Sequence, residues 1–147
     1  MTEIRHRVGI KARLQDVYDS TYQPAKLQSW WATSASGSGA IDSEIELEFP
    51  GYPSHLWEIV ELSDKRRVRL KLLSGPEPWH GAELRFEFSE SNEQVFVTLT
   101  HFVTPETPAE ACQYFSTKWP TFLVSLKQFL ETGKGMPYPN DIKIQHE

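Results

Sequence analysis

The chain has 147 residues and a net charge of −5, without a basic run, which excludes the electrostatic footprint of a nucleic-acid binder. Its 39% hydrophobic and 12% aromatic residues exclude a largely disordered chain and fit one domain spanning 1–147, its compact part about 3–135 and 136–147 an extended tail. With Cys112 as its single cysteine, no bilayer-length apolar run and no signal-peptide core, it is expected to be a cytoplasmic protein without a disulfide, metal centre, cofactor or membrane contact.

The first periodic segment, EIRHRVGIK, puts Ile4, His6, Val8 and Ile10 on one strand face and Arg5 and Arg7 on the other. In RLQDVYDSTYQ the period turns helical, through Leu14, Val17, Tyr18 and Thr21. Pro24 suits the first turn of a second short helix, PAKLQSWW, where a proline forfeits no helical hydrogen bond. The following run, ATSASGSGA, has no apolar period and reads as a loop. Side chains at the end of a helix point about 100° apart, so Trp30 and Trp31 should have different roles. Trp30 is expected in the core and Trp31 at a cavity mouth, beside a loop that acts as a lid. The alternative is that both rings are core.

From residue 43 the chain alternates. SEIELEF sends Ile45, Leu47 and Phe49 inward and Glu44, Glu46 and Glu48 outward. RVRLKL does the same with Val68, Leu70 and Leu72, and ELRFEF with Leu84, Phe86 and Phe88. One apolar and one charged face is the mark of an antiparallel sheet wetted on one side. The basic face of RVRLKL followed by the mainly acidic face of ELRFEF predicts cross-strand ion pairs. In HLWEIVEL both faces are apolar, as in a strand buried on two sides or one at a homodimer contact. QVFVTLTHFV is expected to turn Val95, Val97, Leu99 and His101 inward.

A long helix follows. Thr107, Pro108 and Glu110 read as a capping box, and Phe115, Trp119, Phe122, Leu123, Leu126 and Leu130 form one apolar stripe. Pro120 should kink this helix, Gly133 and Gly135 should end it, and the tail should run off extended. The order of elements gives an α+β protein: a curved antiparallel sheet of six or seven strands around a long C-terminal helix, with two short helices after the first strand. The apolar faces of sheet and helix must bury each other, and their mismatch is expected to leave a ligand tunnel.

The helix ending in LQSWW, the WEIVEL strand, PWHGAELRFEF, THFV and KWPTFLVSLKQFLETGKG resemble the START-like, or SRPBCC, superfamily and its helix-grip fold. Within it they look most like the family named for its homology to the activator of the heat-shock-protein-90 ATPase. The resemblance spans roughly residues 3 to 135 and is carried by Trp30, Trp31, Trp119, Leu123, Leu126 and the run Leu130 to Gly133. The loop after Trp31 departs from the aromatic- and proline-containing connection the family leads one to expect. The superfamily includes lipid carriers, hormone receptors, polyketide cyclases, hydrolases and cochaperone domains, so the resemblance implies a fold before it implies an activity.

The residues themselves offer little catalytic machinery. No HExxH, HxH or Gly-x-Ser-x-Gly occurs, and Gly37-Ser38-Gly39 lacks the lysine of a phosphate loop. The helix-grip resemblance makes the first and last strands antiparallel neighbours, which brings His6 and His101 together inside the apolar face. They could orient a ligand carbonyl or carboxylate, or one could serve as general base; the bland reading is a pair of satisfied core histidines. Cys112 is expected to be a small buried hydrophobe, the glutamate row a solvated face, and Trp79, like Trp57, either core or tunnel lining.

The expected function is binding of a small hydrophobic molecule, as carrier or sensor. The alternatives are a cyclase- or hydrolase-type enzyme using the same cavity, or a chaperone-activator-like interaction module. A chaperone contact is not expected of a chain read as one domain. The residues expected to line the cavity are His6, Val8, Trp31, Leu47, Trp57, Leu70, Phe86, His101, Phe115, Trp119 and Phe122, with no residue assigned as catalytic.

Overall fold

The alternating runs form one sheet in the computed structural model of the chain, which describes residues 2–146. Its strands are β1 (Thr2–Ile10), β2 (Ser34–Ser36), β3 (Glu44–Glu48), β4 (His55–Ser63), β5 (Arg67–Ser74), β6 (Glu83–Ser91) and β7 (Gln94–Val103). They lie in the spatial order β1-β7-β6-β5-β4-β3-β2, each antiparallel to its neighbours. From β2 onward every connection joins adjacent strands, and only the β1–β7 pairing spans most of the chain. Helices α1 (Leu14–Ser20) and α2 (Pro24–Leu27) fill the crossover from β1 to β2, and α3 (Ala109–Thr132) follows β7 and packs along β1.

The period-two pattern explains the two faces. Val68, Leu70, Leu84, Phe86, Val97 and Leu99 are fully buried, and they meet the α3 stripe of Phe115, Trp119, Phe122, Leu123 and Leu126. On the wet face Arg69 lies opposite Arg85. The like charges are relieved by Arg69 reaching diagonally to Glu83 at 2.6 Å and by Arg85 reaching Glu87, two residues on in its own strand, at 3.1 Å. In β4, Trp57 and Ile59 are buried while Leu56, Val60 and Leu62 are half-buried, so this strand is not covered on both faces.

Several local expectations are corrected. Helix α2 ends at Leu27, where the amides of Trp30, Trp31 and Ala32 all turn onto the Leu27 carbonyl, at 3.4, 2.9 and 3.3 Å. Trp30 and Trp31 therefore leave the helical geometry and stack, centroids 5.8 Å apart and planes at 20°. Both rings are buried, and Trp30 Nε1 donates to the Ser20 carbonyl at 2.8 Å. The loop after them is not a lid: Ser34–Ser36 pairs with β3 as an edge strand. The capping box is not formed, since Pro108 is the N-cap of α3 and the Thr107 hydroxyl accepts from the Thr104 amide at 3.2 Å. Cys112 is half-buried rather than buried. Helix α3 continues through Pro120 and ends, as expected, on Gly133 in the left-handed region at φ 87°.

The tail does not run off. After Gly135 the chain turns back over the mouth of the sheet–helix sandwich. The Met136 amide donates to Ser125 Oγ at 2.7 Å, the Tyr138 amide to the Trp31 carbonyl at 3.0 Å, and the Tyr138 hydroxyl to the Pro50 carbonyl at 2.7 Å.

Candidate functional site

The inward strand residues fill the space beneath the middle of the sheet, so the open volume lies elsewhere. A groove of about 1200 Å³ opens between the first half of α3, the β5–β6 loop and the C-terminal segment. Phe115, Trp119 and Phe122 reach it from one face of α3, joined by Trp31, Phe49 and Trp79. Trp79 stands on a short 3-10 turn (Glu77–Trp79) and projects inward, its ring stacked on His101 at 5.1 Å and packed against Phe115 at 4.7 Å and His55 at 4.9 Å. Gly81, at φ 82°, lets this loop return to the sheet, where a Cβ would stand 2.3 Å from Thr104 Cγ2.

Trp79 borders three polar side chains that lack a full set of partners: His55 Nδ1, Trp57 Nε1 and His101 Nε2 are buried without a hydrogen bond. Trp119 Nε1 donates to His101 Nδ1 at 3.0 Å, which puts the proton of a neutral imidazole on the unpartnered Nε2. Burial pushes both His55 and His101 down to about 4. Both rings are uncharged near neutrality and bind a proton too weakly to serve as effective general bases.

At the outer side of the groove Lys118 and Asp141 form a buried ion pair, and Lys143 Nζ reaches the second carboxylate oxygen at 2.6 Å. Burial pushes the Asp141 carboxyl up, but Lys118 and Lys143 outweigh it and hold the group below the usual carboxylate range.

Of the residues singled out in the sequence, Trp31, Phe115, Trp119 and Phe122 line the groove. Trp57 and His101 stand behind Trp79. Val8, Leu47, Leu70 and Phe86 belong to the packed core or its edge. His6 and His101 are two residues out of register, His6 opposite Leu99 and Ile4 opposite His101. They have different surroundings: His101 engages Trp119 and Trp79, whereas His6 faces the backbone of Ser116, its Nδ1 buried without a hydrogen bond. Sequence reasoning missed Phe49, His55, Lys118, Tyr138 and Asp141. Lys118 carried a readable signal, a charge between Phe115, Trp119 and Phe122 on the apolar stripe; Asp141 carried none.

A seven-stranded antiparallel sheet wrapped on a long C-terminal helix, with two short helices after the first strand, defines the helix-grip class. Within that class the chain belongs to the family of Activator of Hsp90 ATPase homolog 1-like proteins, which its residues 11–131 match. It is similar to the Aha1 dimer from Colwellia psychrerythraea, with 34% identity, 92% of this chain and 100% of that chain covered, and a TM-score of 0.81. The fold is shared with SSP2350 from Staphylococcus saprophyticus, at 19% identity, 91% and 95% coverage and a TM-score of 0.75. It is also shared with CalU16 from Micromonospora echinospora, at 20% identity, 99% and 75% coverage and a TM-score of 0.76. No curated protein matches the chain. Among the described residues no helix is long and apolar enough to cross a membrane.

Proposed function

We propose that the protein binds a small, mainly apolar molecule in the groove between α3, the β5–β6 loop and the C-terminal segment. The observation that carries this reading is the aromatic wall of Trp31, Phe49, Trp79, Phe115, Trp119 and Phe122 around a space of about 1200 Å³. Ligand sites combine such a wall with a few polar groups that fix orientation. The unpartnered atoms of His55 in the groove wall and of Trp57 and His101 behind Trp79 are of that kind. An unmade buried hydrogen bond costs about 1–3 kcal/mol, and a ligand acceptor admitted by a shift of Trp79 would recover part of it. The same burial that leaves the imidazoles neutral favours binding over acid–base catalysis.

Titration with Nile red tests the reading. Saturable one-to-one uptake by the native protein, with its near-ultraviolet circular dichroism unchanged, is expected. Non-saturating uptake, or uptake only where that signal is lost, would instead indicate a loosened core. A second reading, self-association, has one specific support, the similarity to a dimer. Sedimentation velocity across a dilution series tests it, and a monomer at every concentration would remove it.

A further inference from the structure

We propose that the groove takes an amphiphile bearing a carboxylate, whose head group replaces Asp141 on Lys118; the C-terminal segment then holds the ligand's place with a carboxylate of its own. The inference rests on the ligand-binding reading above and names the chemical class of the ligand.

Lys118 is the starting point. Its side chain is only 9% exposed, and its ammonium lies 5.1 Å from the Phe122 ring centroid, inside the aromatic wall. A charge in such surroundings is costly unless it is paired and hydrogen-bonded. Its helical neighbours Tyr114, Phe115, Thr121 and Phe122 carry no charge to pair with it. The counter-ion comes from outside the helix and sheet, from Asp141, whose side chain is 3% exposed. Lys118 therefore needs an anion at this position, and nothing in its own element provides one.

The local balance of charge points the same way. Lys143 shares the Asp141 carboxylate, so two ammonium groups meet one acid. The other acid along the groove, Glu110, is exposed in the first turn of α3. Withdrawing Asp141, which carries Lys143 away on the same segment, would leave the ammonium of Lys118 beside a long aromatic wall, the complement of a carboxylate head on an apolar tail. Withdrawal is also mechanically simple. The segment is fixed up to Tyr138 by bonds to Trp31, Thr33 and Pro50. Beyond Tyr138 its anchor is Lys118, which binds Asp141 and the Ile142 carbonyl. A ligand carboxylate that takes Lys118 releases residues 140–146 while the stem stays docked, and the freed Asp141 regains hydration.

The test compares decanoate with 1-decanol by calorimetry on the full chain. In the Asp141→Asn variant, decanoate affinity should rise about tenfold over wild type while decanol affinity stays level. In Lys118→Met the advantage of decanoate over decanol should disappear. A readout on wild-type protein covers the case in which either variant folds poorly. Saturating decanoate, but not decanol, should move the Ile142 methyl resonances to random-coil positions. An unchanged decanoate-to-decanol ratio in Asp141→Asn, or an Ile142 signal that ignores decanoate, would overturn the head-group assignment alone. If neither compound binds any form, the groove is not a ligand site and both readings fall.

Discussion

The imidazole of His6 on β1 lies beside the backbone carbonyl of Ser116 on α3, four residues before Pro120. That carbonyl is the one a residue at position 120 would normally satisfy, and proline has no amide hydrogen to give. A strand side chain thus faces the carbonyl that the helix itself leaves without a donor. Replacing His6 with alanine should cost about 1 kcal/mol, the scale of one polar contact. In a Pro120→Ala background, where the amide is restored, the same substitution should cost measurably less. Urea melts of the four proteins give the coupling energy, and additive effects would show that the two positions act independently.

His55 and His101 make the fold acid-labile. Each is pushed down from 6.5 to about 4 by burial, so between those values the unfolded chain binds protons that the folded chain refuses. Stability is complete above the unfolded value and is lost as pH falls toward the folded one, by on the order of 3 kcal/mol per ring. His6, lowered chiefly by burial, adds in the same direction. The loss precedes any contribution from Asp141, whose carboxyl lies below its ordinary 3.8. His55→Phe, which keeps a ring among Trp31, Phe49 and Trp79, should flatten the decline. Equal slopes of unfolding free energy against pH in the two proteins would count against this account.

Trp30 and Trp31 should be equally expensive to remove. Both are buried, and each alanine variant should lose about 3–5 kcal/mol. They should differ in binding, since Trp31 lines the groove and touches Phe49 and Trp119, whereas Trp30 bonds Ser20. Paired urea melts and Nile red titrations separate the two effects. A Trp31→Ala protein that stays folded with unchanged probe affinity would remove its ring from the site.

Gly135 governs where the C-terminal segment lies. A Cβ there would stand 2.5 Å from the Ser29 carbonyl oxygen and 2.9 Å from that of Ser125, neither of which is a flexible side-chain end. Gly135→Ala should therefore lift the segment, costing about 1–3 kcal/mol and exposing Lys118. Faster amide exchange at Met136 and Tyr138, with α3 unaffected, is the expected signature.

The sheet was legible because inward side chains recur with period two over β3, β5, β6 and β7, and α3 because its stripe recurs with the helical period. β2 was not, since Ser34-Ala35-Ser36 has no alternation to read and is a strand only because β3 offers it a free edge. The end of α2 was hidden for a similar reason, being set by the turn of three amides onto the carbonyl of Leu27. At the site, Phe115, Trp119 and Phe122 followed from the α3 stripe. Leu47, Leu70 and Phe86 were read on the correct face, yet close packing absorbs them into the core. Asp141 was beyond reach, in a tail without periodicity and with its partner on another element.

The position of Lys143 to His146 along the groove has a practical side. An affinity handle or fluorescent fusion attached at this end would be tethered by residues that line the cavity. A histidine-rich handle there would bring imidazoles near Asp141 that compete with Lys118 and Lys143 for its carboxylate.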